Sequence, residues 1–289
     1  LSAAPLDDLP GSVAPAEERE DNRDPRSLSE QLVGPDEEES AFQLAQASFA
    51  EGDQEKCIAH LRIAVARNPR LAPPALILAR MQLRAKRLLE AHRTLEEFAA
   101  GNIPDVELHL VSASLAIMQG RLIDADLHLD RAEKMAAEDT LAQQRKTAVA
   151  KAVRTGRIAI AERRQDWNRA QEYLAEAVKQ SPADASLRDR WATALFLSDK
   201  ESAAYEQFDI AYHQAPELNP PEVSMAAVAA SQGDYQAAEN WFKKAALAHP
   251  KHAGIYLEWS ATLMLQDRAK EAREHIHRAQ ELGLSTPQV

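Results

Sequence analysis

The chain has 289 residues, 45% of them hydrophobic and 27% charged, with a formal net charge of −11. With nine glycines, fifteen prolines and only 5% aromatic residues, the composition is that of a helical chain. The single cysteine, Cys57, excludes an intrachain disulfide and a cysteine zinc site. The longest uncharged apolar stretch, Leu71 to Ala79, contains two prolines and falls far short of the ~20 residues a membrane helix needs.

The acidic charge is concentrated at the start. Residues 1 to 40 hold 12 Asp or Glu against Arg19, Arg23 and Arg26, a net of −9, and five prolines lie between Pro5 and Pro35. Such a segment cannot offset its ordering entropy by burial, so residues 1–37 read as an acidic, flexible N-terminal arm. Arg26 to Val33 has the pattern of a short helix with Leu28, Leu32 and Val33 on one side. The arm is then either a solvated linker or a segment that docks on the body or on a partner. The chain begins with Leu1, consistent with removal of an upstream segment. Compartment stays open between the cytosol and export on a cleaved signal or anchor.

From residue 38 onward a small residue returns at a fixed interval: Cys57, Ala91, Ala125, Ala170, Ala204, Ala238 and Ala272. The steps are 34, 34, 45, 34, 34 and 34 residues. One unit therefore recurs about seven times over 38–289, with an 11-residue insertion near 137–150 between the third and fourth copies. Seven residues later in each copy comes a second small or compact residue (Ala64, Phe98, Ala132, Ala177, Ala211, Ala245, Ala279). A larger apolar one lies between them (Leu61, Leu95, Leu129, Leu174, Phe208, Phe242, Ile276). Spacings of four and three place all three on one helical face, where a facing helix can approach and receive a knob. A turn precedes each block: Gly52-Asp53, Lys86-Arg87, Gly120-Arg121, Gln165-Asp166, Asp199-Lys200, Gly233-Asp234 and Asp267-Arg268. Prolines at Pro69, Pro182, Pro216 and Pro250 close four of the copies. Each copy is thus a helical hairpin that must stack on its neighbours to bury its apolar face.

At Ala229 to Pro250 (AASQGDYQAAENWFKKAALAHP) the chain resembles the tetratricopeptide repeat family, through Gly233-Asp234-Tyr235, Ala238, Phe242, Ala245 and Pro250. The preceding copy matches through Ala204, Phe208, Ala211 and Pro216, while the first three are more divergent. The resemblance implies a right-handed α-solenoid of about seven hairpins whose first helices line a concave groove for a partner segment. The groove positions are then Phe42, Phe49, Leu76, Ile77, Leu83, Leu110, Ile117, Met118, Phe196, Leu197, Leu257 and Met264. An apolar groove suits an extended or amphipathic helical segment of another protein. The lysine and asparagine clamp of the family's chaperone-binding branch is missing from the matching positions.

The insertion opens on a possible helix cap, Asp139-Thr140, and carries positive charge: Arg145, Lys146, Lys151, Arg154, Arg157, Arg163 and Arg164 against one acid, Glu162. This basic hairpin reads as a solvated face, as a seat for an acidic peptide or the chain's own arm, or as a nucleic-acid contact. The last is disfavoured, because the rest of the body is near neutral and has no basic stripe with interleaved aromatics. No phosphate-binding glycine loop, His-Glu-x-x-His or Gly-x-Ser-x-Gly elbow occurs. His275 and His277, two apart, point away from each other on a helix, and His249 and His252 fall in a turn. The expectation is a non-catalytic adaptor or assembly subunit with no metal or cofactor. With Leu282 and Leu284 near an uncapped end, the C-terminal repeat is a candidate for self-association.

Overall fold

The computed structural model describes residues 35–68, 70–138 and 143–283. The expectations for the arm before residue 35, Pro69, the Asp139-Thr140 cap and Leu284 lie outside them. The described residues are all-α, with fourteen helices and no strand. The chain divides after Leu71 into two compact units.

The first unit contains one hairpin, α1 (Pro35–Glu51) packed on α2 (Gln54–Arg67). Ala41, Ala45, Cys57, Leu61 and Ala64 are buried in it. Cys57 fills the small-residue position as a hydrophobe, and burial pushes its thiol pKa up. The second unit stacks six hairpins in chain order. These are α3 (Pro74–Arg84) with α4 (Leu88–Ala100), α5 (Val106–Met118) with α6 (Leu122–Glu138), and α7 (Gln143–Arg163) with α8 (Trp167–Gln180). Then follow α9 (Ala185–Phe196) with α10 (Glu201–Gln214), α11 (Pro221–Ser231) with α12 (Tyr235–Ala248), and α13 (Ala253–Met264) with α14 (Ala269–Glu281). First helices also pack on first helices, in the rows α3–α5–α7 and α9–α11–α13.

Every hairpin reverses in the same way. Gly52, Lys86, Gly120, Gln165, Asp199, Gly233 and Asp267 all have φ between 56° and 83°. After each, the next backbone N–H donates to the carbonyl five residues back, as in Asp53 to Ser48, Arg87 to Gln82 and Asp234 to Ala229. This double closure of the first helix is a Schellman turn, which needs the left-handed conformation at that one residue. Asp53, Asp166 and Asp234 then accept a hydrogen bond from the backbone N–H three residues on and so cap the second helix. Arg87, Arg121, Lys200 and Arg268 at the same position make no side-chain cap. Arg121 and Arg268 instead pair with Asp124 and Glu271 in the first turn.

The small–large–small columns are the core. Ala91, Ala125, Ala170, Ala204, Ala238 and Ala272 are fully buried, as are Leu129, Leu174, Phe208 and Phe242 between their flanking small residues. A further column, twelve residues earlier in each copy, completes the contact from the first helix: Ala45, Ala79, Ala113, Ile158, Ala192, Ala226 and Ser260, all buried. Alanine there brings the two helices of a hairpin close, and Ile158 breaks the pattern in the copy that carries the insertion.

The insertion is divided between two helices. By the spacing of the other hairpins α6 should end at Met135 and α7 should begin at Lys151. Instead α6 runs on to Glu138 and α7 starts at Gln143. Eight added residues lengthen α7 by about 12 Å at 1.5 Å per residue.

Candidate functional site

A cleft opens between three first helices. Its side wall is α7, its floor is α5 and its far rim is α3, and together they enclose about 880 Å³. Along α7 the wall presents Ala148, Ala152, Gly156 and Ala159, spaced by four, four and three residues so that small side chains form one continuous strip. The floor is Leu110, Ala113, Ile117 and Met118, and Leu129 of α6 shows between the helices. Hydroxyl groups here are turned inward: Ser114 Oγ donates to the Leu110 carbonyl and Thr155 Oγ1 to the Lys151 carbonyl, each at 3.0 Å. Their donors are thus spent on their own helices, which keeps the floor apolar in character.

The rim is cationic. Arg80 pairs with Glu107 of α5, while Arg84 and Lys151 have no carboxylate partner among the described residues. An apolar trough edged by unpaired cations can bury hydrophobic side chains and attract carboxylates along their flanks.

Of the twelve groove positions read from the sequence, Leu110, Ile117 and Met118 meet in this cleft. Leu76, Ile77 and Leu83 do not reach it. Leu76 and Leu83 are core side chains, packed with Ala91 and Leu95 of α4 and Val111 and Leu115 of α5, and Ile77 is 8% exposed. The physical reason is that a first helix in a stack has two buried faces, one against its own partner and one against the next hairpin, so apolar character alone does not mark the open side. Phe42 and Phe49 lie half-buried on α1 of the first unit. Phe196 and Leu197 are half-buried against the cores of the later hairpins. On α13, Leu257 and Met264 are exposed, alongside Leu265.

The basic hairpin is mostly consumed within the fold. Arg157 bridges Asp130 and Glu133 of α6 at 3.0 and 2.7 Å. Arg164 pairs with Asp126 at 3.1 Å and donates to the Leu122 carbonyl, and Arg145 lies 3.9 Å from Asp105. Arg154 donates to Gln180. Asp126, Asp130 and Glu133 form a stripe on α6 that runs antiparallel to the bases of α7 and ties the α7–α8 hairpin to the preceding one. Of the seven bases, Lys146, Lys151 and Arg163 have no such partner among the described residues.

Two arrangements had no counterpart in the sequence reading. His109 and His128 place their Nδ1 atoms 3.2 Å apart in a depression between α4, α5 and α6. One ring must carry its proton on Nδ1 and the other on Nε2. Burial pushes both pKa values down, and the nearby Arg131 adds to the effect. On the later hairpins, Tyr205, Glu222 and Trp241 converge beneath a pocket between α10, α11 and α12. The sequence signal for them was two large aromatics on successive second helices of a chain poor in aromatics. Among the described residues no group of three or more His, Cys, Asp or Glu side chains is arranged to hold a metal, and no helix is long and apolar enough to cross a membrane.

No family model matches the chain, and no curated protein matches it. Solved structures do resemble it. PilF of Pseudomonas aeruginosa is 16% identical over 78% of this chain and 96% of its own, with a TM-score of 0.49. A tetratricopeptide repeat protein from Parabacteroides merdae is 15% identical over 79% of this chain and 99% of its own, with a TM-score of 0.39. YrrB, described as a tetratricopeptide protein with an unusual peptide-binding site, is 13% identical over 77% and 92%, with a TM-score of 0.40. Likeness at this level aligns no functional residue of one with a residue of another. The seven hairpins, their shared 34-residue register and their common turn make this chain a helical-repeat protein of the tetratricopeptide type.

Proposed function

We propose that this protein is a non-catalytic interaction scaffold that holds an acidic, amphipathic segment of a partner protein in the cleft between α3, α5 and α7. The observation that carries the reading is the pairing of an apolar floor and a small-residue wall with the unpaired cations Arg84 and Lys151 at the rim. A helix or strand with apolar side chains on one face would bury them against Leu110, Ile117 and Met118. Carboxylates flanking that face would meet the rim. The small residues of α7 let the partner backbone approach closely, and the Ser114 and Thr155 hydroxyls demand no donor from it.

The test is a fluorescence-anisotropy titration of the full chain with a labelled peptide carrying leucines at helical spacing and glutamates between them. Filling the trough with Ala152→Trp should abolish binding, and Arg84→Glu with Lys151→Glu should weaken it at least tenfold, about 1.4 kcal/mol. Raising the salt should weaken the wild type only partly, because apolar burial is unscreened. Binding that is insensitive to Ala152→Trp would overturn the assignment of the cleft.

A further inference from the structure

The pocket between α10, α11 and α12 is lined by a buried carboxylate, one oxygen of which has no hydrogen-bond partner among the described residues, beside two aromatic rings. Glu222, in the first turn of α11, is 7% exposed. Its Oε1 accepts a 2.6 Å hydrogen bond from Tyr205 Oη. Its Oε2 is buried with no hydrogen-bond partner among the described residues; the nearest base, His249 Nε2, stands 3.6 Å away, an ion pair only when that ring carries a proton. An acceptor left in that state costs free energy unless a donor arrives from outside. Tyr205 and Trp241 stack nearly parallel, 6.0 Å between centroids and 23° between planes, beside it. Glu201 and Glu206 add two carboxylates around the opening, which encloses about 490 Å³.

One side chain already shows what the ring face attracts. Lys244, one helical turn beyond Trp241, folds its ammonium back to 3.6 Å from the indole centroid. This is a cation–π contact made by a long, exposed side chain that can swing away. A cation with in-plane donors would do more. A planar guanidinium lies flat on an aromatic ring and still directs N–H groups sideways at a carboxylate, which a spherical ammonium cannot do as well.

We propose that this pocket binds an arginine side chain of a partner protein, its guanidinium stacked on Trp241 and Tyr205 and donating to Glu222 Oε2, with Lys244 displaced on binding. The site is built from helices other than those of the acidic-segment cleft and stands independently of that reading. Glu222 is the counter-ion and the two rings are the platform. Lys244 is the internal competitor that holds the site in the free protein.

The experiment uses the full chain labelled with ¹⁵N at tryptophan, whose four indole resonances are few enough to resolve, with Trp241 assigned by loss of its peak in Trp241→Phe. The probe is N-acetyl-arginine methylamide, and the control is N-acetyl-citrulline methylamide, a near-isostere without the charge. The arginine probe should shift the Trp241 indole peak saturably with a dissociation constant on the order of 1 mM, and the citrulline probe should not. Glu222→Gln, which retains an acceptor for Tyr205, should weaken binding by about tenfold, as expected for a lost charge-assisted pair. Lys244→Ala, an exposed change, should tighten it about threefold by removing the competitor. A merely structural role for Lys244 cannot give that increase. No saturable shift up to about 50 mM, equal shifts with citrulline, or weaker binding in Lys244→Ala would each overturn the proposal. A lysine probe that binds more tightly than arginine would also overturn it, since a bare ammonium would then suffice.

Discussion

The seven hairpin turns offer a test in which the chain supplies its own controls. Each places one residue at φ between 56° and 83°. Three of these residues are glycines, and four are Lys86, Gln165, Asp199 and Asp267. A side chain in the left-handed region costs roughly 1–2 kcal/mol, less for Asp, whose short polar side chain tolerates it. Glycine removes that cost but loses about 0.4–1 kcal/mol through its freer unfolded chain. All four side chains are exposed, so no packing is lost on truncation. Lys86→Gly and Gln165→Gly should therefore each stabilise the protein by about 0.5–1 kcal/mol. Asp199→Gly and Asp267→Gly should change it by about zero. The reverse change isolates the backbone contribution. A Cβ added at Gly52, Gly120 or Gly233 meets nothing within 4 Å, so any cost of alanine there comes from the dihedral alone. Gly120→Ala should cost about 1 kcal/mol despite the open space.

The measurement is urea unfolding by far-UV circular dichroism, read from the midpoint at constant slope because long repeat arrays need not unfold in one step. Lys86 and Gln165 belong to different hairpins, so the double variant should add and raise the melting temperature by a few degrees, at about 2–4 °C per kcal/mol. A neutral Gly120→Ala, or a Lys86→Gly less stable than wild type, would refute the backbone argument.

The His109–His128 pair makes stability depend on pH. Burial holds both folded pKa values below the usual 6.5, so the unfolded chain binds more protons as the pH falls past that value. Their contribution is complete above about pH 6.5 and is lost as pH drops through the folded values. Unfolding midpoints measured between about pH 7 and 5 should fall, and the His109→Asn/His128→Asn double variant should flatten that slope. At Gly156, a built Cβ would lie 2.8 and 2.9 Å from the two Cδ atoms of Leu129, itself 2% exposed. Gly156→Val should destabilise by about 1–3 kcal/mol through overpacking. Combined with Leu129→Ala, the loss in urea midpoint should be smaller than the sum of the two single losses.

What the sequence disclosed, and what it withheld, follows from the range of the forces involved. Close helix packing demands a side chain of set size at each contact, so Ala91, Leu95 and their counterparts repeat visibly at 34-residue steps. A left-handed turn residue leaves a weaker trace, since Gly120 announces it and Lys86 at the same dihedral does not. The column from Ala45 to Ser260 was open to the same reading, but Ile158 interrupts it at the insertion. Which apolar residues of a first helix face outward was not legible, because both Leu83 and Met118 satisfy the periodicity while only the neighbouring hairpin decides which is covered. Charge was the least legible. Arg157 and Arg164 read as a free positive face until α6 is seen to bring Asp126, Asp130 and Glu133 alongside them.

The faces of α7 explain the cleft and the zipper together. Apart from Ala148, the residues of α7 that line the cleft or pair with α6 lie outside its eight-residue extension, where the helix is in register with the other first helices. Its three sides meet different requirements. The side toward α6 carries Arg157 and Arg164, which tie it to the acid stripe through partly exposed pairs worth little singly but fixed in register. The inner side carries Val149, Val153 and Ile160, buried with Leu110, Ala132 and Ala136. The third side faces the cleft with the small residues Ala148, Ala152, Gly156 and Ala159, edged by Lys151 and Thr155. Large apolar residues on that side would have closed the trough or invited nonspecific association, whereas small ones leave α7 anchored on two sides and open on the third. A partner segment laid against α7 would supply the side chains that this strip lacks.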